Sequence, residues 1–177
     1  MPLLSQKYVL APDLIVERIT VSGSSIQVVI KNQGNAPVLS EFWVDGYINP
    51  QIVPNGVNQP WWERGKEGMA WWVTGPARAA LVPGGSFTLR AYDAYYVRDE
   101  SHIKTWPLPA GTTLYAQVDS YNLDTSYGLV YESHERTGDA YNNIHGPVIS
   151  TASVAGQSLS STPEQPPSGH ESLPSRR

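Results

Sequence analysis

The chain has 177 residues, a formal net charge of −4 and no block of basic residues, which excludes nucleic acid as an expected partner. It contains no cysteine, so disulfides and thiol chemistry are excluded as well. The first ten residues lack a charged segment followed by a long apolar run, and no stretch approaches the roughly 18 apolar residues of a membrane span. We therefore expect neither a signal peptide within this sequence nor membrane insertion.

The elements predicted along the chain are β-strands. Fifteen glycines and fifteen prolines separate short runs of β-branched and aromatic residues, and no window shows the apolar period of a long helix. One run alternates cleanly, with Ile26, Val28 and Ile30 on one face. The third run is expected to end at Asp45-Gly46. Seven strands are predicted in chain order, at residues 14–21, 25–31, 41–44, 69–74, 86–92, 112–119 and 143–150.

The composition divides the chain into three parts. Residues 1–11 are predicted to be an N-terminal linker, and residues 12–150 a single domain. Residues 151–177 are rich in Ser and Pro and nearly lack large apolar side chains, which predicts a flexible linker or tail. Within the domain, residues 47–78 read as a long aromatic-rich insertion, residues 94–106 as a loop with one helical turn, and residues 120–143 as a polar loop.

Several short motifs, in their order and spacing, resemble the CARDB family, a cell-adhesion-related module of bacterial and archaeal surface proteins. The motifs are Pro12-Asp13-Leu14, the turn at residues 31–35, Val44-Asp45-Gly46, Pro83-Gly84, Val118-Asp119, and Glu132 followed by Asn142-Asn143. The resemblance covers most of residues 12–149, but the segments 47–78 and 120–142 are longer than the family usually has. It implies an all-β, immunoglobulin-like, seven-stranded antiparallel sandwich with a role in extracellular adhesion or spacing.

The expected function is therefore a non-catalytic, monomeric module at the cell surface or outside the cell, within a larger secreted polypeptide. Its expected partners are neighbouring domains of that polypeptide and a cell-surface glycan or protein. No nucleophile elbow, zinc-protease helix motif or phosphate-binding glycine loop is present. Glu132 and Asp139 could form an acid/base pair, but nothing in their spacing favours catalysis over solvated loop charge.

An alternative function is carbohydrate binding by two consecutive tryptophan pairs, Trp61-Trp62 and Trp71-Trp72. Neighbours on a strand point to opposite faces, so Trp71 and Trp72 are not both expected in one core, and one should lie at the surface or beneath the insertion. Exposed rings could stack on sugars. Hydroxyl groups of the sugar would then meet Asp45, Glu63 and Arg64. The competing interpretation is that the insertion folds back and buries the rings as a satellite cluster.

The polar loop is a candidate calcium site, because hard cations take six to eight oxygen ligands and this loop is dense in carboxylates and amides. The candidate ligands are Asp119, Asp124, Glu132 and Asn142. The spacing is not that of an EF-hand. The competing interpretation is that Glu132 and the Asn142-Asn143 pair bond to loop backbone and hold the turn before the last strand. A zinc site at His134 would need three or four ligands, which the local sequence does not supply.

Overall fold

The computed structural model describes residues 9–22 and 24–151, together with Leu173 and Arg176. Seven strands and three short helices occur in the described residues, with one 3-10 turn at Arg98–Glu100 inside the segment expected to hold a helical turn. The strands are β1 (Leu14–Ser22), β2 (Ser25–Asn32), β3 (Phe42–Ile48), β4 (Glu67–Val73), β5 (Ser86–Arg90), β6 (Thr113–Val118) and β7 (Ile144–Ile149). The helices are α1 (Trp61–Arg64), α2 (Gly75–Ala79) and α3 (Ser133–Thr137). No helix in the described part of the chain is both long and apolar enough to cross a membrane.

The strands form two antiparallel sheets, one of three strands in the order β1-β2-β5 and one of four in the order β4-β3-β6-β7. Their inward faces share one hydrophobic core. In β2, Ile26, Val28 and Ile30 are each about 1% exposed, as the alternating pattern predicts. The all-β prediction is confirmed as a two-sheet, mostly β architecture in which each predicted strand overlaps an observed one.

The prediction that β3 ends at Asp45-Gly46 is wrong, because the strand continues to Ile48. Gly46 lies under the ring of Trp71 on β4, where a Cβ would stand 3.1 Å from Trp71 Cζ3 and 2.9 Å from the Met69 side chain. Asp45-Gly46 has the composition of a turn, but it lies within the strand. Gly46 is needed there because it lets the ring of Trp71 approach the backbone of β3 closely.

The four-stranded sheet is covered on both faces, and all seven residues of β3 are buried. Trp71 lies in the core between the sheets. Trp72 points the other way and forms a second cluster with Trp43, Ala70 and Tyr121 on the face turned away from the other sheet, called the outer face below. Alternation along the strand holds as expected, but both tryptophans are buried because each face has its own cover.

The predicted insertion is shorter than the sequence suggests. Strand β4 pairs with β3 along its whole length, from Phe42 opposite Val73 to Ile48 opposite Glu67, so the irregular part is residues 49–66 with helix α1. This irregular part lies over the outer face. Gln117 on β6 holds it there, because its side-chain amide donates to the carbonyl of Gly56 at 2.8 Å.

Segment 95–102 lies along the free edge of β4. The N–H of Trp72 donates to the carbonyl of Tyr95, and the N–H of Val97 donates to the carbonyl of Ala70, both at 2.9 Å. Gly68 and His102 exchange two further backbone bonds. The edge of the sheet is therefore paired instead of open, which removes a template for edge-to-edge association.

Candidate functional site

The polar loop after β6 is organised around a buried carboxylate, Asp119. Its Oδ1 accepts the backbone N–H of Leu129 at 2.8 Å, and its Oδ2 accepts that of Val130 at 2.9 Å. Burial raises the pKa of Asp119 from 3.8 to about 8. Gly128 passes so close that a Cβ would stand 2.4 Å from Oδ2, and its φ of +88° favours glycine. The carboxylate therefore serves to hold the loop in shape.

Glu132 is a second, fully buried carboxylate that joins three parts of the fold. It accepts the backbone N–H of Leu14 at the start of β1 and the side-chain amide of Asn143 at 2.6 Å. Asn143 also donates to the carbonyl of Val118 on β6 at 3.2 Å. Burial raises the pKa of Glu132 well above its usual value, and the nearby carboxyl of Asp119 raises it further. The sequence offered hydrogen bonding to loop backbone as the alternative to a calcium ligand, whereas Glu132 bonds to the start of β1 and to the side chain of Asn143.

The four predicted calcium ligands differ in exposure and in the bonds that they already make, although Asp119 and Glu132 lie near each other. Asp124 is exposed, while Asp119 and Glu132 are buried and already accept bonds from protein N–H groups. Asn142 donates its side-chain amide to Asp13 Oδ1 at 2.9 Å, and its own Oδ1 is buried without a hydrogen-bond partner among the described residues. A cation bound by Asp119 or Glu132 would first have to displace the backbone bonds that those carboxylates hold.

A different group of metal-type ligands does come together: Asp13, Glu132 and His134 offer atoms that all lie within 4.8 Å of one another. His134 is 4% exposed, with Nδ1 at 3.5 Å from Asp13 Oδ1. Both Asp13 oxygens already accept side-chain amides, from Asn142 and from Gln33. The sequence did not indicate this group, because Asp13 is more than one hundred residues from the other two members. Its evident role is to join the beginning of β1 to helix α3.

Three of the four tryptophans proposed to bind sugar are buried. Trp61 is 4% exposed and lies on Gly68, where a Cβ would stand 2.4 Å from its Cγ, and its ring N–H donates to the carbonyl of Glu100 at 2.8 Å. The ring N–H of Trp71 donates to the carbonyl of Arg90 at 2.9 Å.

Trp62 is half-buried and stands edge-on to Trp61, with an interplanar angle of 87°. These four rings therefore form no flat, exposed platform, which contradicts the prediction of a sugar-stacking surface. The competing interpretation, a satellite cluster under the loop, describes Trp61 and Trp72 better.

The outer face also carries an ion pair that the sequence did not indicate. Asp45 on β3 is fully buried, and Nη2 of Arg176 donates to both of its carboxylate oxygens at 2.9 and 2.7 Å. The guanidinium carbon lies 4.4 Å from the ring centre of Trp43, 4.9 Å from that of Trp62 and 5.1 Å from that of Tyr121. These four residues, Asp45, Trp43, Trp62 and Tyr121, are called the aromatic cage below.

The ionisation of the buried Asp45 carboxyl depends on Arg176. Burial raises the pKa of the Asp45 carboxyl, and the charge and hydrogen bonds of Arg176 offset part of that rise. From the sequence, Asp45 was named in a strand-ending pair, in a family motif and as a residue that could meet sugar hydroxyls, but not as one half of an ion pair. The tail, residues 151–177, was predicted to be flexible. Most of it lies outside the described residues, but Arg176 is described and is 2% exposed.

A scan of the chain against protein-family models found no match. Searches of curated proteins and of solved structures also found no match. The resemblance to the CARDB family therefore stays a prediction from the sequence motifs.

Proposed function

We propose that the protein is a non-catalytic spacer or adhesion module of a larger extracellular polypeptide, with an immunoglobulin-like sandwich as its body. The observation that carries the proposal is the position of the two chain ends of the domain. A module that links neighbouring domains in series needs its two chain ends at opposite poles. The sandwich then keeps the neighbours apart and transmits force between them.

The two ends of the sandwich lie at opposite poles of β1. The chain enters β1 at Leu14 and reaches Ser22, the last of the nine residues of the strand. At roughly 3.3 Å per residue, this strand spans on the order of 30 Å. Thr151, just after β7, forms a parallel bridge with Ser22. The first strand of the sandwich therefore begins near Leu14, and the last strand ends near Ser22, about one strand length away.

The entering end is firmly attached to the body. The carbonyl of Pro12 accepts the N–H of Ser133 on α3 at 2.9 Å, and the carbonyl of Asp13 accepts the N–H of Gln33 at 2.8 Å. Glu132 accepts the next backbone N–H, that of Leu14. Tension applied at this pole would load several hydrogen bonds together, which suits a spacer.

The immunoglobulin-like assignment is supported by strand order. In an immunoglobulin constant-type sandwich the strands, numbered in chain order, form sheets 1-2-5-4 and 3-6-7. Here the order is β1-β2-β5 and β4-β3-β6-β7, which differs only in the sheet that the fourth strand joins. The extracellular setting is supported by the CARDB resemblance and by the Ser/Pro-rich composition of residues 151–177.

Force spectroscopy on the full chain tests the proposal. The sequence has no native cysteine, so introduced cysteines define the pulling points without competition. We expect Leu10→Cys with Thr151→Cys, which pull from pole to pole, to give a higher unfolding force than Ser24→Cys with Thr151→Cys. The second pair lies near one pole, so pulling there would peel strands apart bond by bond. Equal or reversed forces would contradict a spacer that transmits force between its neighbours.

A further inference from the structure

The aromatic cage is a property of the folded body, since its members come from separate elements of the domain. Trp43 and Asp45 lie on β3, Trp62 lies on α1, and Tyr121 follows β6. Trp43 is held by Trp72, whose ring centre is 4.9 Å away, and Trp62 and Tyr121 stand 6.1 Å apart. The walls and the carboxylate are therefore positioned by strand pairing and helix packing instead of by the residue they surround.

The chemistry of the cage matches a planar cation. Burying a charge is costly unless it is paired and hydrogen-bonded, and Asp45 at the base supplies both the opposite charge and two acceptor oxygens. Three aromatic faces surround the guanidinium within the distance at which a cation is attracted to a ring. Nε and Nη1 of Arg176 are buried with no hydrogen-bond acceptor among the described residues. A guanidinium tolerates this better than an ammonium, because it is delocalised and more weakly hydrated.

A second residue of the C-terminal segment docks beside the first. Leu173, three positions before Arg176, packs against the cluster of Trp43, Ala70, Trp72 and Tyr121. The hydroxyl of Tyr121 also donates to the backbone carbonyl of Arg176 at 3.0 Å. The body thus recognises an apolar side chain, an arginine three residues later and one backbone carbonyl, which together define a short Leu-x-x-Arg segment.

We propose that the aromatic cage is a binding site for a peptide segment with a Leu-x-x-Arg pattern, and that Leu173 and Arg176 of this chain occupy it as a tethered ligand. Since Arg176 binds intramolecularly, any segment in solution must compete with it. The cage therefore opens to another chain only when its own arginine is released. This goes beyond the spacer role and does not depend on it.

Peptide binding to the full chain tests the proposal. The probe is a fluorescent, amidated peptide of residues 170–176 (HESLPSR), and the readout is fluorescence anisotropy. The receptor is the full chain carrying Arg176→Ala and Arg177→Ala, so that neither terminal arginine competes. We expect it to bind the probe at least about tenfold more tightly than the unmodified chain does, because the tethered segment no longer occupies the cage.

Matched controls show which contacts matter. A probe with Arg176→Lys should bind about tenfold more weakly or worse, since an ammonium is more strongly hydrated than a guanidinium and has no planar face to stack on the rings of the cage. Asp45→Asn in the receptor should abolish binding, whereas Asp99→Asn, an exposed aspartate, should leave it unchanged. Equal probe binding by the double variant and the unmodified chain would overturn the proposal, and so would absence of binding by a double variant that circular dichroism shows to be folded.

A measurement on the unmodified chain covers the case in which the variants do not fold. In a ¹⁵N-resolved spectrum of the arginine side chains of the unmodified chain, we expect one Nε–H resonance shifted upfield by the ring currents of the cage. Random-coil positions for all arginine Nε–H resonances would overturn the proposal.

Discussion

Replacing Asp119 with asparagine should make the stability of the fold less sensitive to pH. The pKa of Asp119 is about 8 in the folded chain, against an ordinary value of 3.8. Between pH 3.8 and pH 8 the folded state therefore keeps a proton on Asp119 that the unfolded state has lost. The free energy of unfolding should then fall as pH rises, by roughly 1.4 kcal/mol per pH unit for one such proton. From pH 5 to pH 7 the loss attributable to Asp119 reaches about 2.7 kcal/mol.

Urea unfolding followed by tryptophan fluorescence at pH 5, 6 and 7 measures this slope. Asp119→Asn should lower stability at pH 5, because the amide N–H group faces one of the two backbone N–H donors, of Leu129 and Val130. Its slope between pH 5 and 7 should nevertheless be shallower by about one proton. A residual slope is expected, since the pKa of Glu132 is also raised by burial. Asp124→Asn is the control, because it removes a carboxylate of the same loop whose side chain is exposed. An unchanged slope in Asp119→Asn would refute the reasoning.

Two further predictions concern Asn32 at the end of β2 and the buried carboxylates of the polar loop. Asn32→Ala should destabilise the fold by about 3 kcal/mol in chemical unfolding, since the fully buried Asn32 amide makes four hydrogen bonds that alanine cannot make. The control is Gln33→Ala, which should cost under about 1 kcal/mol because Gln33 is exposed. The four partners of the Asn32 side chain are the N–H groups of Asp13 and Gly34 and the carbonyls of Ala36 and Leu81. Millimolar Ca²⁺ should leave the thermal midpoint where EDTA leaves it, because the buried carboxylates of the polar loop already accept protein N–H donors. A calcium-dependent rise of the midpoint would restore the metal-site hypothesis.

The strands could be predicted because their signal is local. Alternation in β2 and in β6, where Leu114, Ala116 and Val118 are buried on one face, follows from the two-residue period of a strand beside a single core. A turn at residues 31–35 was also predicted from Asn and Gly; β2 runs to Asn32, and the buried Asn32 side chain organises the bend that follows. These features depend on residues that are close in sequence, so they can be recognised from the sequence alone.

The cover on the outer face could not be predicted in this way. A pattern shows that a strand has one apolar face, but β3 has two buried faces, and its Asp45-Gly46 pair has the composition of a turn. A charged residue on a strand predicts exposure unless a partner is known. That partner, Arg176, is 131 positions away. The contact between Asp13 and the segment around His134 was missed for the same reason, because these residues are also far apart in sequence.

The sequence by itself determined the all-β character of the domain, the approximate positions of its strands and the alternating core faces of β2 and β6. Only the tertiary structure decided that three of the four paired tryptophans are buried, that the loop carboxylates hold backbone N–H groups, and that an arginine near the C-terminus meets Asp45 inside the aromatic cage. The physical reason is that backbone periodicity acts between adjacent residues. The burial of a charge or a large ring depends instead on partners that only folding brings within a few ångströms.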